Sequence, residues 1–425
     1  MAAVSGEAPR LRLAERRQLS WRTYDVDSLV GPTHVARTIW QFLDKFDLAH
    51  FYADIKAREG VAGRDATDPK ILLTLWLYAL STGIACAREV ARLCLEHDGY
   101  KWICGGVTVN YHMLSDFRVE HGDAVDQLLS QILAALLHQG LLKLHRIAQD
   151  GTRVRASAGA ASFRRKPTLD NCLAQACAQI QALKAEVANP QLQRTARVMA
   201  AKQRAARERA ARIRQALAEY DQLAAAKATA KNHPQRKKET RVSTTDPQAR
   251  VMKMPDGGFR PAYNLQFGTD TETRLVVGVT ATNAGTDTNQ LGPMLDDIQR
   301  RTAKTPDQAL VDGGYMNFAG VEQAAARGVE VFAPLRVNKN YKIDPHQVQP
   351  HDTAPIAAYR QRMGSDEGKQ LYKQRCATAE TINADTKTYR GLDRLLLRGL
   401  PKVLCAALWS GLTYNVLRVI SKGWL

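Results

Sequence analysis

The stretch Tyr-Lys-Gln-Arg-Cys-Ala-Thr-Ala-Glu-Thr-Ile-Asn-Ala-Asp-Thr-Lys at residues 372–387 contains no Gly or Pro, so it can form an uninterrupted helix. Glu380 and Lys387 are seven residues apart, which is two helical turns, so the helix puts both on one face. Arg375 and Tyr372 add a cation and a phenol one to two turns earlier. A carboxylate that can hold a metal ion thus shares a face with an ammonium that can hold a phosphate, although most such pairs are solvated surface.

Composition and charge indicate the kind of partner. The 425 residues are enough for two or three domains, and 60 Lys and Arg against 42 Asp and Glu give a net charge of +18. This excess of positive charge favours a polyanion, and nucleic acid is the first candidate. The seven Cys form no Cys-x2-Cys pair, and their number is odd. Structural zinc and a disulfide framework are therefore disfavoured, and the pattern is typical of a reduced, intracellular protein.

Membrane and export signals are not predicted. The apolar run near residues 71–84 is too short and too interrupted to span a bilayer. The N-terminus lacks the apolar segment of a signal peptide. We therefore expect a cytoplasmic protein with no membrane contact.

The N-terminal part predicts a helical DNA-binding domain over residues 1–130, of which residues 1–30 are a loose arm. Apolar residues recur every three or four positions from Val35 to Phe46, and Asp68-Pro69 opens a second helix with an N-cap and a first-turn proline. A turn at residues 81–83 leads to a further helix, and another helix follows from about residue 123 to 139. The pattern is compatible with a helix-turn-helix, but also with an ordinary helical bundle.

Residues 168–235 are rich in Ala, Gln and Arg and contain almost no Gly. Their apolar residues step by three and four in two runs that Pro190 separates, which predicts an antiparallel helical hairpin with coiled-coil-like seams. A packing or dimerisation arm is the first interpretation. Contact with a DNA backbone is the alternative, through four arginines, Arg204, Arg207, Arg212 and Arg214.

The remaining chain predicts a mixed sheet. A first strand ends at Asp150, and a fourth ends at Asp312; both acids are followed by Gly, which we interpret as a backbone turn. Two strands lie between the first and the fourth, and one follows the fourth. A poorly patterned linker at about 337–365 then leads to the helix that carries Glu380. The predicted strands lie at residues 143–150, 263–267, 275–280, 308–312 and 329–333.

This order, three antiparallel strands and then parallel ones, is that of a ribonuclease-H-like fold. The fold class is therefore α/β: a ribonuclease-H-like catalytic domain over residues 140–425, with the N-terminal all-helical domain and the hairpin as an insertion. In such a sheet the first and fourth strands are neighbours, so Asp150 and Asp312 lie close together and the last helix brings Glu380 across. Three converging carboxylates form the oxygen site that two Mg²⁺ ions prefer.

Several segments together resemble a known family, the DDE transposases of bacterial insertion sequences. The similarity covers the chain from about residue 25 to the end. It is carried by Asp150-Gly151-Thr152, Asp312-Gly313-Gly314-Tyr315, the Tyr372, Arg375, Glu380 and Lys387 series, Asp68-Pro69, Ser115-Asp116-Phe117-Arg118, Arg390-Gly391-Leu392 and Leu397-Arg398-Gly399-Leu400.

The resemblance implies a transposase that binds the terminal inverted repeats of its own element and catalyses Mg²⁺-dependent DNA cleavage and strand transfer, with Mn²⁺ as a substitute. Catalysis and metal binding would fall to Asp150, Asp312 and Glu380. Lys387 and Arg375 would hold phosphates, and Tyr372 would contact the transposon end. The implied partners are double-stranded repeat and target DNA, and a second copy of the chain in a homodimeric synaptic complex.

Two other functions remain open at this stage. One is a catalytically inactive or domesticated DNA-binding protein derived from a transposase. The other is a ribonuclease-H-fold nuclease that cuts without strand transfer. Two further acids, Asp246 and Asp287, are interpreted as turn and cap residues.

Overall fold

A mixed β-sheet lies at the centre of the structure, a computed structural model that describes residues 17, 23, 25–57, 60, 65–188, 196–229, 239–335 and 344–424. The strands are β1 Arg146–Arg155, β2 Phe163–Arg164, β3 Val242–Ser243, β4 Arg250–Lys253, β5 Phe259–Asp270, β6 Val276–Thr282, β7 Gln308–Leu310 and β8 Glu330–Phe332. The helices are α1 Val35–Leu43, α2 Ala49–Tyr52, α3 Pro69–Ser81, α4 Ala87–Glu96, α5 Asp98–Cys104, α6 Tyr111–Glu120, α7 Gly122–His138, α8 Lys166–Ala188, α9 Ala196–Thr229, α10 Leu291–Thr302, α11 Phe318–Ala325, α12 Ala354–Gly364, α13 Asp366–Arg375, α14 Thr381–Tyr389 and α15 Leu400–Lys422.

The strand order is β6-β5-β1-β7-β8. β5 pairs antiparallel with β1 and β6, whereas β7 pairs parallel with β1 and β8. The short β4 pairs with the first residues of β5, on the edge that β6 uses further along. The predicted neighbourhood of the first and fourth strands is confirmed, and the sheet is ribonuclease-H-like.

The predicted end of the first strand at Asp150 is wrong. β1 continues for five residues beyond it, and Gly151–Arg155 pair with β5. Gly151 is not a turn residue. A Cβ at this position would lie 2.3 Å from Asp287 Oδ1 and 2.4 Å from Gln266 Nε2, so only glycine leaves room for these side chains. Asp150 therefore projects from the middle of the central strand.

Other elements were missed in the sequence. The predicted linker at 337–365 contains α12, which buries Ile356, Tyr359 and Met363 at helical spacing; its residues 337–343 lie outside the described part. β4 was not predicted, nor was α15. A turn at residues 254–258 joins β4 to β5, closed by the hydrogen bond from the Met254 amide to the Gly258 carbonyl oxygen at 2.7 Å.

The predicted N-terminal helices are confirmed as helices. Asp68 caps α3 by accepting a hydrogen bond from the Lys70 amide at 2.8 Å, and α7 begins within a residue of its predicted start. α3 is buried over nearly its whole length, whereas α4 buries Val90 and Cys94 on one face. The N-terminal helices α1–α7, called the helical segment below, thus present α4 and not α3 to solvent. The arm at 1–30 falls mostly outside the described residues.

α15 joins the helical segment to the sheet. It packs on β6 and β5 on one side and on α7, α3 and α6 on the other, so one continuous hydrophobic core contains residues of both parts. Within the described residues it is the one helix long and apolar enough to cross a membrane, but 78% of its apolar window is buried. This burial is what the central helix of a folded core produces. The domain limits 1–130 and 140–425 stay a prediction.

The predicted helical hairpin is formed by α8 and α9, which pack along each other and lie between β2 and β3 in the chain. Its seam contains small clusters of its own, such as Ala176, Ala210 and Ile213, which are separate from the main core. β2 and β3 pair at its base.

Because the hairpin core is separate, we expect that replacing residues 168–235 by a short Gly/Ser linker leaves the sheet folded. The melting temperature of the shortened protein should stay within a few degrees of the full chain, as expected when less than about 1 kcal/mol is lost. Circular dichroism melts measure this. A shortened protein without a cooperative transition would place the hairpin in the folding core.

Candidate active site

Asp150 is the buried acid of the candidate site. The Asp150 carboxylate accepts hydrogen bonds at Oδ1 from Arg375 Nη2 (3.1 Å) and the Gly151 amide (3.0 Å), and at Oδ2 from Asn383 Nδ2 (3.0 Å). Burial raises the pKa of Asp150, and the nearby Arg375 charge only partly offsets this. Arg375 and Asn383 therefore hold the carboxylate in one orientation on the face of the central strand.

Glu380 reaches this site because the helical stretch from α13 to α14 that carries it is not uniformly α-helical. α13 and α14 are joined by a π turn at Cys376–Glu380. Residues five apart on an α-helix lie roughly 140° apart around its axis. The wider i→i+5 turn of a π-helix brings them onto one face. The guanidinium of Arg375 accordingly lies 3.8 Å from the Glu380 carboxylate as well as in contact with Asp150.

Asp312 is exposed just beyond β7, where its Oδ1 accepts from the Gly313 amide at 2.7 Å. β1 and β7 pair Ala148 with Leu310. Continued for two more residues, this register places Asp312 beside Asp150. Neighbouring strands are about 4.8 Å apart. The charge of Asp312 also acts on the pKa of Tyr372 and Arg375, so the acid lies near the α13 end of the site.

Two more polar groups line the site, Lys387 from α14 and Tyr372 from α13. Lys387 is half-buried, and burial lowers its pKa, while the charges of Asp393 and Asp150 oppose this shift. Tyr372 is half-buried as well, and burial raises the pKa of its hydroxyl. Asn383, which contacts Asp150, was missed in the sequence. Its position three residues after Glu380 and four before Lys387, on the same helical face, was the available signal.

The described residues contain no group of three His, Cys, Asp or Glu side chains close enough to hold a metal ion together. In this structure the Arg375 guanidinium, itself a cation, lies between two of the acids. Two buried atoms beside Asp150, Asn383 Oδ1 and Arg375 Nε, have no hydrogen-bond partner. The Asn383 amide oxygen can accept from water or ligate a cation, whereas the Arg375 Nε can only donate to water or to an anion. Three carboxylates and an amide oxygen are suitable donors for Mg²⁺, so the residues fit the ion.

Asp246 and Asp287 both open turns as predicted, because the Ala249 and Gln290 amides donate to their carbonyl oxygens at 3.1 Å. Their side chains have a further role in the sheet that was not predicted. Asp287 accepts from Asn264 Nδ2 (2.6 Å) and Gln266 Nε2 (2.8 Å), on the opposite face of the sheet from Asp150. Asp246 is fully buried and accepts from the Tyr263 hydroxyl at 2.7 Å. Both acids anchor the sheet, and the charge of Asp287 contributes to the raised pKa of Asp150.

Asp150→Asn is expected to raise the melting temperature of the metal-free protein at pH 7. A raised pKa means that the folded state binds the proton more tightly than the unfolded chain. This contribution to stability is complete below the unfolded pKa and is lost as pH rises through the folded pKa. The ionised acid therefore costs stability at pH 7, and the advantage of the variant should shrink toward pH 4. Melts in EDTA across this range test it; a variant less stable at pH 7 would contradict it.

The π turn predicts an unusual tolerance to deletion. Removing the exposed Ala377 leaves Arg375 and Glu380 four residues apart, which an ordinary α-helix places on one face. We expect this deletion to keep both groups in position and any activity of the site within about tenfold of wild type, about 1.4 kcal/mol. The matched control deletes the exposed Ala384, which rotates Lys387 away from Glu380. Equal losses in the two deletions would show that the π turn does not set this geometry.

The fold places the chain in the class of ribonuclease-H-like proteins. Residues 228–416 match the family model of the transposase DDE domain, and residues 24–120 match that of a transposase domain (DUF772). The chain therefore contains a transposase DDE domain and, before it, an N-terminal transposase domain. Asp150 falls between the matched ranges, so its assignment depends on the position of β1. No curated protein and no solved structure gives a significant match.

Proposed function

We propose that the protein is a transposase that binds the terminal inverted repeats of its own element and catalyses Mg²⁺-dependent strand cleavage and strand transfer by in-line displacement at phosphodiesters. The observation that carries the proposal is the position of Arg375, which contacts Asp150 on the central strand and approaches Glu380 on the π turn. Asp312 follows the neighbouring parallel strand. Acids on these three elements are what the DDE family match leads us to expect.

Asp150, Asp312 and Glu380 would hold two Mg²⁺ ions, and Mn²⁺ would substitute. When bound, the ions would stabilise the charge on the attacking and leaving oxygens of the displacement. Asn383 would keep the Asp150 carboxylate oriented through its 3.0 Å hydrogen bond. Arg375 would then be free to turn from Asp150 toward the DNA.

The cations on α13 and α14 would hold the DNA. Nearby negative charges raise the pKa of Arg375, so it stays protonated and its planar guanidinium suits a bidentate phosphate contact. Lys387 would bind a phosphate near the cleaved bond. Tyr372 would contact the transposon end through its hydroxyl or ring.

The remaining parts of the chain would supply recognition and assembly. Residues 1–130 would act as the DNA-binding domain, with the solvent-facing side of α4 toward the repeat. The α8–α9 hairpin would assist synapsis of two copies in a homodimer. The net charge of +18 supports binding of repeat and target DNA at both sites. We place the protein in the cytoplasm, at the nucleoid during transposition.

The test is incubation of the protein with Mg²⁺, a labelled duplex from the sequences that flank its gene, and a target plasmid. A transposase gives cleaved ends and labelled plasmid as the joined product. Cleavage without joining would identify a nuclease that lacks strand transfer. Specific binding with neither product would identify an inactive DNA-binding relative.

A further inference from the structure

A second basic site lies between the hairpin and the sheet, away from the acids. A cavity of about 310 Å³ opens here, and three arginines line it: Arg209 and Arg212 from α9 and Arg398 from the segment before α15. Thr244 and Thr245, directly after β3, form the opposite wall. The volume is at the lower end of the range for ligand sites, which suits a small group.

The positive charge of this cavity is poorly compensated. Arg209 donates to the neutral amide oxygen of Gln179 at 3.4 Å, and Arg398 donates to the carbonyl oxygen of Ser157 at 3.3 Å. Arg212 approaches the Glu208 carboxylate only at 4.0 Å. The buried Asp246 is close enough for the Arg398 charge to act on its pKa. The three guanidinium groups therefore have only two acids nearby, Glu208 at 4.0 Å from Arg212 and the buried Asp246.

The walls of the cavity are fixed to each other. β3 pairs with β2, and the Thr244 amide donates to the Ser162 carbonyl oxygen at 3.0 Å. The Gly399 amide, next to Arg398, donates to Asp246 Oδ1 at 3.2 Å. Because the site is already formed, little conformational entropy of its side chains and loops is lost when a ligand binds. Guanidinium groups and threonine hydroxyls are donors, so the ligand they suit is an anion with several acceptor oxygens.

The cavity is close enough to the candidate active site for one DNA duplex to contact both. Ser157, which contacts Arg398, is seven residues after Asp150 along the direction of β1. At about 3.4 Å per residue this is at most about 24 Å. The same length corresponds to about seven phosphates along one strand at 3.4 Å each.

We propose that this cavity binds a backbone phosphate of the DNA, and that it couples the hairpin to the same duplex that the acids cleave. The choice of DNA as the source of the phosphate rests on the proposed function. Of the four hairpin arginines that the sequence suggested for backbone contact, the cavity uses Arg212 alone, joined by Arg209 and Arg398. The site thus combines two arginines of the hairpin insertion with Arg398, which lies within the range matched by the transposase DDE domain.

The test measures binding of the full-length protein to a labelled 30-base-pair duplex of arbitrary sequence by fluorescence anisotropy over a range of salt concentrations. The variant Arg209→Gln/Arg212→Gln should bind more weakly, and its slope of log K against log salt should be shallower by about 1. Arg398→Gln should change both quantities in the same direction. The matched control is Arg204→Gln/Arg207→Gln, which removes equal charge from exposed positions of α9 outside the cavity.

A slope change in the cavity variants at least twice that in the control supports the proposal. Equal slope changes in the two double variants would mean that only the overall charge matters, and would overturn the proposal. Unchanged DNA binding of the cavity variants would overturn it as well. Melting temperatures show that each variant is folded. Because the assay uses neither cleavage nor repeat sequence, a wild-type protein that fails to cut DNA overturns the proposed function and leaves this result interpretable.

Discussion

Asp312→Asn is expected to lower the rate of repeat cleavage in Mg²⁺ by at least about 10²–10³-fold, the loss typical of removing one electrostatic group at a reacting centre. The substitution keeps the side-chain shape but removes a negative charge beside β7. Because Asp312 is exposed and its Oδ1 contacts only the adjacent Gly313 amide, folding should be unaffected. Single-turnover cleavage of a labelled duplex measures the effect.

The control for this variant is Asp307→Asn, an exposed acid at the start of the same strand. It should cleave at nearly the wild-type rate, and both variants should bind the uncut duplex within a few-fold of wild type. Phosphate contacts by the cations, and not the acids, dominate affinity. Cleavage by Asp312→Asn at the wild-type rate would remove Asp312 from the site.

Trp409→Ala is expected to destabilise the whole protein by about 3–5 kcal/mol, the cost of truncating a large core aromatic side chain. Trp409 is fully buried in α15, 6.5 Å from the ring of Trp76 and 6.2 Å from that of Phe117. Its indole Nε1 donates to the Arg118 carbonyl oxygen at 2.9 Å. The substitution would leave a cavity between α15 and the N-terminal helices α3 and α6.

Urea unfolding of the full chain measures this effect. The control Trp424→Ala removes a partly buried indole beyond the end of α15 and should cost much less. A single transition that moves to lower urea in Trp409→Ala would mean that the N-terminal helices and the sheet unfold together. Two transitions, with only one of them shifted, would mean that the segments are independent domains.

The sequence predicted the elements whose signals are local. The Asp68 cap of α3 and the helix predicted at about 123–139, which is α7, both depend on residues within a few positions. The sheet order followed from the spacing of short apolar runs. The strand predicted at residues 263–267 lies within β5, which is longer and is buried on both faces.

Features that depend on distant residues were not predictable. The residue after Asp150 is glycine because Asp287 and Gln266 fill the space beside it, whereas the sequence alone favoured a turn. The π turn that ends at Glu380 could not be predicted from helix propensity. It differs from an α-helical turn only in that the backbone hydrogen bonds join residues five apart, not four. Arg375, predicted only to hold phosphate, contacts Asp150, and this contact requires the final packing of α13 on β1.

The central claim is that Asp150, Asp312 and Glu380 act as one divalent-metal site. Titration of Mn²⁺ into the DNA-free protein, followed by the loss of the free-ion electron paramagnetic resonance signal, tests it directly. We predict that wild type binds Mn²⁺ and that Asp150→Asn, Asp312→Asn and Glu380→Gln each weaken this binding, while the control Asp307→Asn does not. Unchanged Mn²⁺ binding in all three variants would contradict the account.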